Sequence, residues 1–317
     1  MSVTIGIDVG GTKIAAGVVD EAGTVVARRQ IATAATHPTA VVAGIVKVAQ
    51  ELLAAAPNVS AVGIGAAGLI DGEKGIVLTA PNIAGWDNVP LRAMVSDRLK
   101  LPVIIDNDAN VAALGESEYG AGKDYGDQIM LTIGTGVGGG IVIGGEIYRG
   151  AHGVGGEIGH MIVDGTGSAV CACGNHGCLE AMASGNSIGR RARERVSEPG
   201  ATAVLELAGQ KAVDITGELV GEAARSGDPW ARDIIAETGR WLGVGIASLV
   251  NIFDPEVVII AGGAATGTGD LLLGPARDNA AGLIIGHAWR ALPPVVLATL
   301  GYDAGLVGAA ALARGIT

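Results

Sequence analysis

Val3-Thr4-Ile5-Gly6-Ile7-Asp8 runs into Val9-Gly10-Gly11-Thr12-Lys13 and then into Ile14-Ala15-Ala16-Gly17-Val18-Val19-Asp20. Both arms have strand periodicity, and the glycines between them supply a turn, so the stretch reads as a β-hairpin. The pattern returns in mid-chain as Met130-Leu131-Thr132-Ile133, then a turn over Gly134-Thr135-Gly136-Val137-Gly138-Gly139-Gly140, then Ile141-Val142-Ile143 and a further turn at Gly144-Gly145. A repeated hairpin implies two related halves. Behind the first, residues 37–56 have the spacing of an amphipathic helix and residues 60–64 that of a buried strand. In the second half, Asp228 and Pro229 supply the N-cap and first position of a helix reaching about Phe253. Asp254-Pro255-Glu256 ends it, and residues 257–261 form a buried strand leading into Gly262-Gly263. Strands alternating with helices give an α/β architecture with helices on the sheet faces. Two such domains are expected to face one another across a cleft. The glycines let backbone N–H groups approach an anion, so the hairpins are expected to bind phosphate without a basic patch.

The composition is that of a globular enzyme. A chain of 317 residues, 49% hydrophobic and 17% charged, has material for one large core or two medium ones, and two domains are expected. The formal net charge of -11 and the lack of a basic run argue against nucleic acid as a partner. The uncharged stretch 128–145 is interrupted by seven glycines, and the N-terminus opens directly on a strand pattern. Neither a membrane span nor a signal peptide is expected. The cysteine pattern fits a reducing compartment, the cytoplasm.

All three cysteines fall in Cys171-Ala172-Cys173-Gly174-Asn175-His176-Gly177-Cys178, with Glu180 two positions on and Gly155-Gly156-Glu157-Ile158-Gly159-His160 just upstream. Three thiolates and an imidazole close a tetrahedral shell of the kind that binds structural zinc. Both His160 and His176 compete for the fourth place. The bland readings are ordinary buried thiols or a redox pair, which the Gly-rich loop context disfavours.

Two phosphate motifs are excluded. There is no Walker A string. Gly63-Ile64-Gly65-Ala66-Ala67-Gly68 fits the dinucleotide pattern, but Leu69-Ile70-Asp71-Gly72-Glu73-Lys74-Gly75 reads as a turn where a pyrophosphate site needs a helix. The third constellation is Ile104-Ile105-Asp106-Asn107-Asp108-Ala109-Asn110, at the end of an apolar strand and before a helix over 111–119. One aspartate there would be read as a cap. Two aspartates and two asparagines exceed a cap's needs, and a carboxylate at a strand's C-terminal end is placed to take a proton from a substrate hydroxyl.

Together these residues resemble the ROK family of sugar kinases and sugar-responsive repressors, within the actin-like ATPase superfamily. The likeness spans nearly the whole chain. It is carried by Asp8-Val9-Gly10-Gly11-Thr12-Lys13, Asn107-Asp108, Gly156-Glu157-Ile158-Gly159-His160 and the Cys171, Cys173, Cys178, Glu180 cluster, in the family's order. The chain is most similar to the family's bacterial ATP-dependent glucokinases. The resemblance implies a two-domain actin-like (ribonuclease H-like) α/β fold with an interdomain cleft and a zinc-binding loop. It implies an N-terminal domain over 1–107, joined by a C-terminal helix within 306–317, and a large domain over 108–305. The implied reaction is phosphorylation of glucose at its 6-hydroxyl by ATP with Mg²⁺, Asp108 acting as general base. Asn107, Glu157, His160 and Glu180 match the sugar-binding residues, with Asn82 a weaker match. Asp8 matches the partner of hydrated magnesium. Gly10, Gly11, Thr12, Lys13, Thr135 and Gly136 match the phosphate hairpins, and Gly262 and Gly263 the turn near adenosine. His160, Cys171, Cys173 and Cys178 match the ligands of structural Zn²⁺, leaving the second ring nitrogen of His160 for the sugar. Relatives form dimers and tetramers, so a homo-oligomer is expected. Mannose, fructose, N-acetylmannosamine or N-acetylglucosamine are alternative acceptors sharing the motif set. A repressor of the family carries a winged-helix segment before the hairpin, for which the residues ahead of Asp8 leave no room. Polyphosphate-dependent relatives lack the cysteine cluster. A non-catalytic sugar-sensing protein is the rival of another class, and an intact Asp108 with both hairpins stands against it.

Overall fold

The structure is a computed structural model, and it describes residues 3–35, 37–80, 83–167 and 169–316. The chain opens with β1 (Val3–Val9), β2 (Lys13–Val19), β3 (Val25–Ala32), α1 (Pro38–Ala55) and β4 (Val59–Ala66). Three short strands follow, β5 (Leu69–Asp71), β6 (Ile76–Thr79) and β7 (Asp87–Val89), then α2 (Leu91–Leu99), β8 (Val103–Asn107) and α3 (Asp108–Tyr119). The second hairpin is β9 (Gln128–Ile133) and β10 (Val137–Ile143), extended by β11 (Glu146–Ile147). Helices then dominate, with α4 (Leu179–Ala183), α5 (Gly185–Glu194), α6 (Thr202–Leu207), α7 (Gly217–Arg225) and α8 (Pro229–Phe253). The chain ends with β12 (Val257–Ala261), α9 (Gly263–Thr268), α10 (Asp270–Leu283), β13 (Val295–Leu297) and α11 (Ala304–Arg314).

One five-stranded sheet has the order β3-β2-β1-β4-β8 and the other β11-β10-β9-β12-β13. In the first, β1, β2 and β3 are antiparallel, while β4 lies parallel to β1 and β8 parallel to β4. The second repeats the plan, with β11 antiparallel to β10 and β13 parallel to β12. The repeated hairpin is therefore a repeated topology, and the fold is α/β with mixed sheets. A small antiparallel sheet, β5-β6-β7, takes the segment after the glycine pattern at 63–68. That sheet leaves no helix where a dinucleotide site would need one.

The chain divides into two compact units, Met1–Gln128 with Gly140–Gly156 and Ala298–Thr317, and Ile129–Gly139 with Glu157–Leu297. In the first unit, Ile5, Ile7 and Val9 share a core with Val41, Ile45, Val48 and Leu52 of α1. Alternation along β1 turns Thr4 and Gly6 to the other face, where α11 lies. A methyl group on Gly6 would overlap the Leu306 carbonyl oxygen, and one on its register partner Gly63 the Ala309 carbonyl oxygen. Thr4 Oγ1 donates to Ala310 O at 2.8 Å. The glycine at 63 thus serves close helix packing and not a pyrophosphate. The same closeness joins α11 to α3, because a methyl on Gly308 would overlap the Val111 carbonyl oxygen. This contact explains why the compact unit runs on through Gln128, beyond the sequence boundary at Asn107. Buried Glu116 adds a second tie by accepting the N–H groups of Ala121 at 2.8 Å, Thr299 at 3.0 Å and Leu300 at 2.7 Å. Helix α1 is the one described helix long and apolar enough to cross a membrane, and it forms part of this core.

Two sequence expectations shift. Helix α3 starts at Asp108, three residues earlier than its apolar pattern, because Asn107 caps it. The mid-chain glycine run belongs mostly to β10, and only Gly134-Thr135-Gly136 forms the turn. On the strand, side chains at Gly139 and Gly140 would press on Ile158 Cδ1 at 2.6 Å and Ala113 Cβ at 2.5 Å.

Gly63→Ala is expected to cost more than about 2 kcal/mol, since backbone on both sides must move. Gly282→Ala, in open space near the end of α10, is expected to stabilise by up to about 1 kcal/mol. Urea unfolding of both variants checks the pair, and equal midpoints would contradict the packing assignment.

Candidate active site

In the first unit, the turn after β1 is closed by Gly10 N–H to Lys13 O at 3.0 Å and tied to the chain behind β3 by Thr33 Oγ1 donating to Gly10 O at 2.7 Å. Among the described residues, the N–H groups of Gly11 and Thr12 have no recorded protein acceptor and remain available to an anion. The Lys13 ammonium rests over the Tyr302 ring, 5.3 Å from its centroid. Asp8, at the end of β1, is half-buried beside the start of α11, where a methyl on Gly305 would sit 3.2 Å from its carboxyl carbon. Burial, and then the charge of Asp108, push the Asp8 carboxyl up to about 6 against the pull of Lys13. Burial also raises Asp108, opposed by the N–H groups of Ala109 and of Asp108 itself and by the Asn107 amide. The pair is a site of concentrated negative charge, and a cation would relieve it.

The turn that presents Asp108 is held mostly by its neighbours. Asn107 Oδ1 accepts from Ala109 N at 2.8 Å and Asn110 N at 3.2 Å, and its Nδ2 donates to Gly68 O at 3.0 Å. The same amide also bonds the Asp108 carboxyl, which ties Asn107 to the group it precedes. Asp106, 2% exposed, accepts from Asn107 N at 2.7 Å and Asn110 Nδ2 at 2.9 Å through Oδ1, and from Arg149 Nε at 2.7 Å through Oδ2. Sequence reasoning missed Arg149, since nothing in its local pattern marks it. Asp106 and Asn110 lay inside the motif without an assigned role.

In the second unit, His160 ends a 3-10 turn, Ile158–His160, and its side chain meets the cysteine loop. Cys171 Sγ lies 3.6 Å from His160 Nδ1, Cys173 Sγ lies 3.8 Å from Cys178 Sγ, and all four ligand atoms are within 4.8 Å of one another. Zinc with ordinary bond lengths at tetrahedral angles separates two sulfurs by about 3.8 Å and a sulfur from a nitrogen by about 3.6 Å. The residues therefore fit the ion. His176 is occupied elsewhere, its Nδ1 standing 3.3 Å from Gly167 O. Burial pushes the Cys171 thiol up to about 12 and raises Cys178, while the Asn175 N–H lowers Cys173. Thiols so disposed need a cation to be held together as thiolates. The other ring nitrogen of His160, Nε2, points away from the sulfurs to within 4.0 Å of Glu157 Oε2.

Glu180, in the first turn of α4, joins the loop to the second hairpin. Its Oε1 accepts from the Cys171 thiol at 3.5 Å and its Oε2 from Val137 N at 3.0 Å. A methyl group on Gly136 would overlap Oε2, so a side chain there would displace this carboxylate. Thr135 is exposed, and its carbonyl accepts Asn186 N at 3.3 Å. Gly262, with φ of 94°, turns β12 into α9 where a side chain would strike Ile133 at the end of β9. Gly263 opens α9, so these glycines and the hairpin lie at one end of the sheet. Structure thus groups Asp8, Gly10, Gly11, Thr12, Lys13, Asn107 and Asp108 in one unit and Glu157, His160, Glu180 and the cysteines in the other. Asn82 lies outside the described residues.

Comparison with known proteins fixes the lineage, since the ROK family model matches residues 4–316. The chain belongs to the ROK family. This ROK protein is 44% identical over 318 aligned residues to the glucokinase of Streptomyces coelicolor, covering 99% of this chain and 98% of that one. It is 37% identical to the glucokinase of Thermotoga maritima, covering 98% of this chain and 96% of the relative. A ROK family glucokinase from Streptomyces griseus, solved with glucose and AMPPNP, superposes with a TM-score of 0.86 at 44% identity, covering 99% of both chains.

Two outcomes are expected of this ROK protein. Elemental analysis should find about one zinc per chain, retained in His176→Ala and lost in Cys173→Ser. Equal zinc in both variants would remove the cluster as the binding site. Asp8, raised from 3.8 to about 6, makes the native state bind its proton more tightly than the unfolded chain does. Stability from this group is then full below about pH 4 and is lost as pH rises through about 6. Asp8→Asn should therefore raise Tm at pH 7.5 and leave it unchanged near pH 3.5, and a lowered Tm at pH 7.5 would contradict the assignment.

Proposed function

We propose that the chain catalyses phosphorylation of glucose at the 6-hydroxyl by ATP. What carries the proposal is Asp108, a half-buried carboxylate whose neighbours are committed to holding its turn, in a chain 44% identical from end to end to a glucokinase. Asp108 accepts the 6-hydroxyl proton as that oxygen attacks the γ-phosphate. A carboxylate raised above its ordinary value is a stronger base, and a positioned base contributes about 100- to 10,000-fold. Phosphoryl transfer asks little covalent work of a protein, so in-line positioning and charge neutralisation supply most of the remaining rate.

Asn107, Glu157, His160 and Glu180 orient the other sugar hydroxyls, each offering a donor or an acceptor of fixed direction. Gly10 to Lys13 and Thr135-Gly136 turn backbone N–H groups toward the nucleotide phosphates, and Gly262-Gly263 lets backbone lie close to the adenosine. Asp8 takes hydrated Mg²⁺, which neutralises phosphate charge when bound. His160, Cys171, Cys173 and Cys178 would hold Zn²⁺, whose role is structural. With Nδ1 committed to the metal, the ring plane is fixed and Nε2 faces the sugar as a donor. A cytoplasmic homo-oligomer, dimer or tetramer, belongs to the same reading.

ADP release with magnesium-ATP, measured on glucose, mannose, fructose, N-acetylglucosamine and N-acetylmannosamine, tests the proposal. Glucose should have the highest kcat/KM, and silence on every sugar would leave a sugar-sensing role. Asp108→Ala should cut kcat at least about 100-fold with little change in glucose affinity by calorimetry. A variant keeping more than about a tenth of normal turnover would remove Asp108 as the base.

A further inference from the structure

We infer that Arg149 is a positioning residue for the base, acting through the buried carboxylate of Asp106. The inference rests on the assignment of Asp108 made above. Asp106 is two residues before Asp108 and its side chain is 3% exposed, a costly place for a charge. Arg149 Nε meets Oδ2 at 2.7 Å, which leaves Oδ1 to take the Asn107 N–H and the Asn110 amide. Those two bonds fix both flanks of Asp108, from the residue before it and from the first turn of α3 after it. Arg149 is itself held. Its Nη1 donates to Ile147 O at 3.3 Å and its carbonyl accepts Gly155 N–H at 2.8 Å. The guanidinium therefore stands on a closed loop of backbone, and direction passes from that loop to Asp106, to the turn and to the carboxylate at 108.

Lysine would restore the charge without the planar geometry that aims Nε at one oxygen. Removing the cation alone leaves a buried carboxylate uncompensated, whereas removing both charges does not. The sequence-distant partner thus has a signature different from that of a residue that merely adds stability: a double neutral variant should behave better than the single one.

The test compares Arg149→Met, Arg149→Lys and the double variant Asp106→Asn/Arg149→Met with the unaltered chain. Aspartate is ¹³C-labelled at the carboxyl, and the Asp108 resonance is identified by its loss in Asp108→Asn. Arg149→Met should shift the Asp108 resonance and lower kcat by about 10- to 100-fold, with KM for ATP and for glucose within about threefold. Arg149→Lys should recover part of the rate, and the double variant should lie nearer the unaltered chain than Arg149→Met. An unmoved Asp108 resonance overturns the inference. A loss of kcat matched by equal losses of substrate affinity and Tm, with no recovery in Arg149→Lys, also overturns it in favour of a purely structural role. If Arg149→Met does not fold, the lysine and double variants decide by the same measurements. If the unaltered chain phosphorylates no sugar, the glucose assignment falls, and the Asp108 resonance still decides whether Arg149 positions that carboxylate.

Discussion

Helix α11 lies so close to β1, β4 and α3 that no side chain fits at Gly6, Gly63 or Gly308. Contact at that distance is backbone on backbone, which allows little sliding or rotation, because there are no flexible side chains to absorb a shift. The position of α3 is set by this contact at Val111 and by the Glu116 carboxylate at the other end of the helix, which gathers the N–H groups of Ala121, Thr299 and Leu300. The first residue of α3 is Asp108. The Asp108 carboxylate is therefore placed by the packing of α3 against α11.

On that frame the charge of Asp108 is set against that of Asp8. Burial and then the charge of Asp108 raise the proton affinity of Asp8 in a chain of net charge -11, and Lys13 offsets them only in part. The Lys13 ammonium stands over Tyr302 instead of forming an ion pair with either carboxylate. A cation bound beside the two carboxylates would exchange this repulsion for attraction. The contrast with Asp106 is instructive. Its charge is buried more deeply, yet it is matched by Arg149 and saturated with hydrogen bonds, which makes it a support and not a reagent.

How much of this was legible in the sequence depended on whether the information was local. The hairpins, the α8 cap and the clustering of the three cysteines are short patterns, and each was readable because its residues cooperate within a few positions. The choice between His160 and His176 was not, since spacing admits both. It is decided by the Gly167 carbonyl, which engages His176. The pair Asp106 and Arg149 is 43 residues apart, with no periodicity to connect them. Glycine misled in one place because it has two physical uses. The run at 138–140 looks like a long turn, but Gly139 and Gly140 are strand residues made small by Ile158 and Ala113. The same ambiguity produced the false dinucleotide pattern, in which Gly63 faces a helix carbonyl and Gly68 turns the chain at a φ of 111°.

Glu180 joins the cysteine loop to the second hairpin within one compact unit. One carboxylate oxygen takes the Cys171 thiol and the other takes the Val137 N–H at the mouth of the β9–β10 turn. The bond to Oε1 needs the Cys171 proton, which burial helps the thiol to keep, and a bound zinc would take that sulfur as a thiolate instead. Zinc in the loop would then release Oε1 while Oε2 still holds the hairpin through Val137 N–H. Gly136 suits this arrangement, because a methyl group there would displace the Glu180 carboxylate from the turn. A metal bound among the sulfurs would thus be felt one side chain away, through the His160 and Glu180 contacts of Cys171.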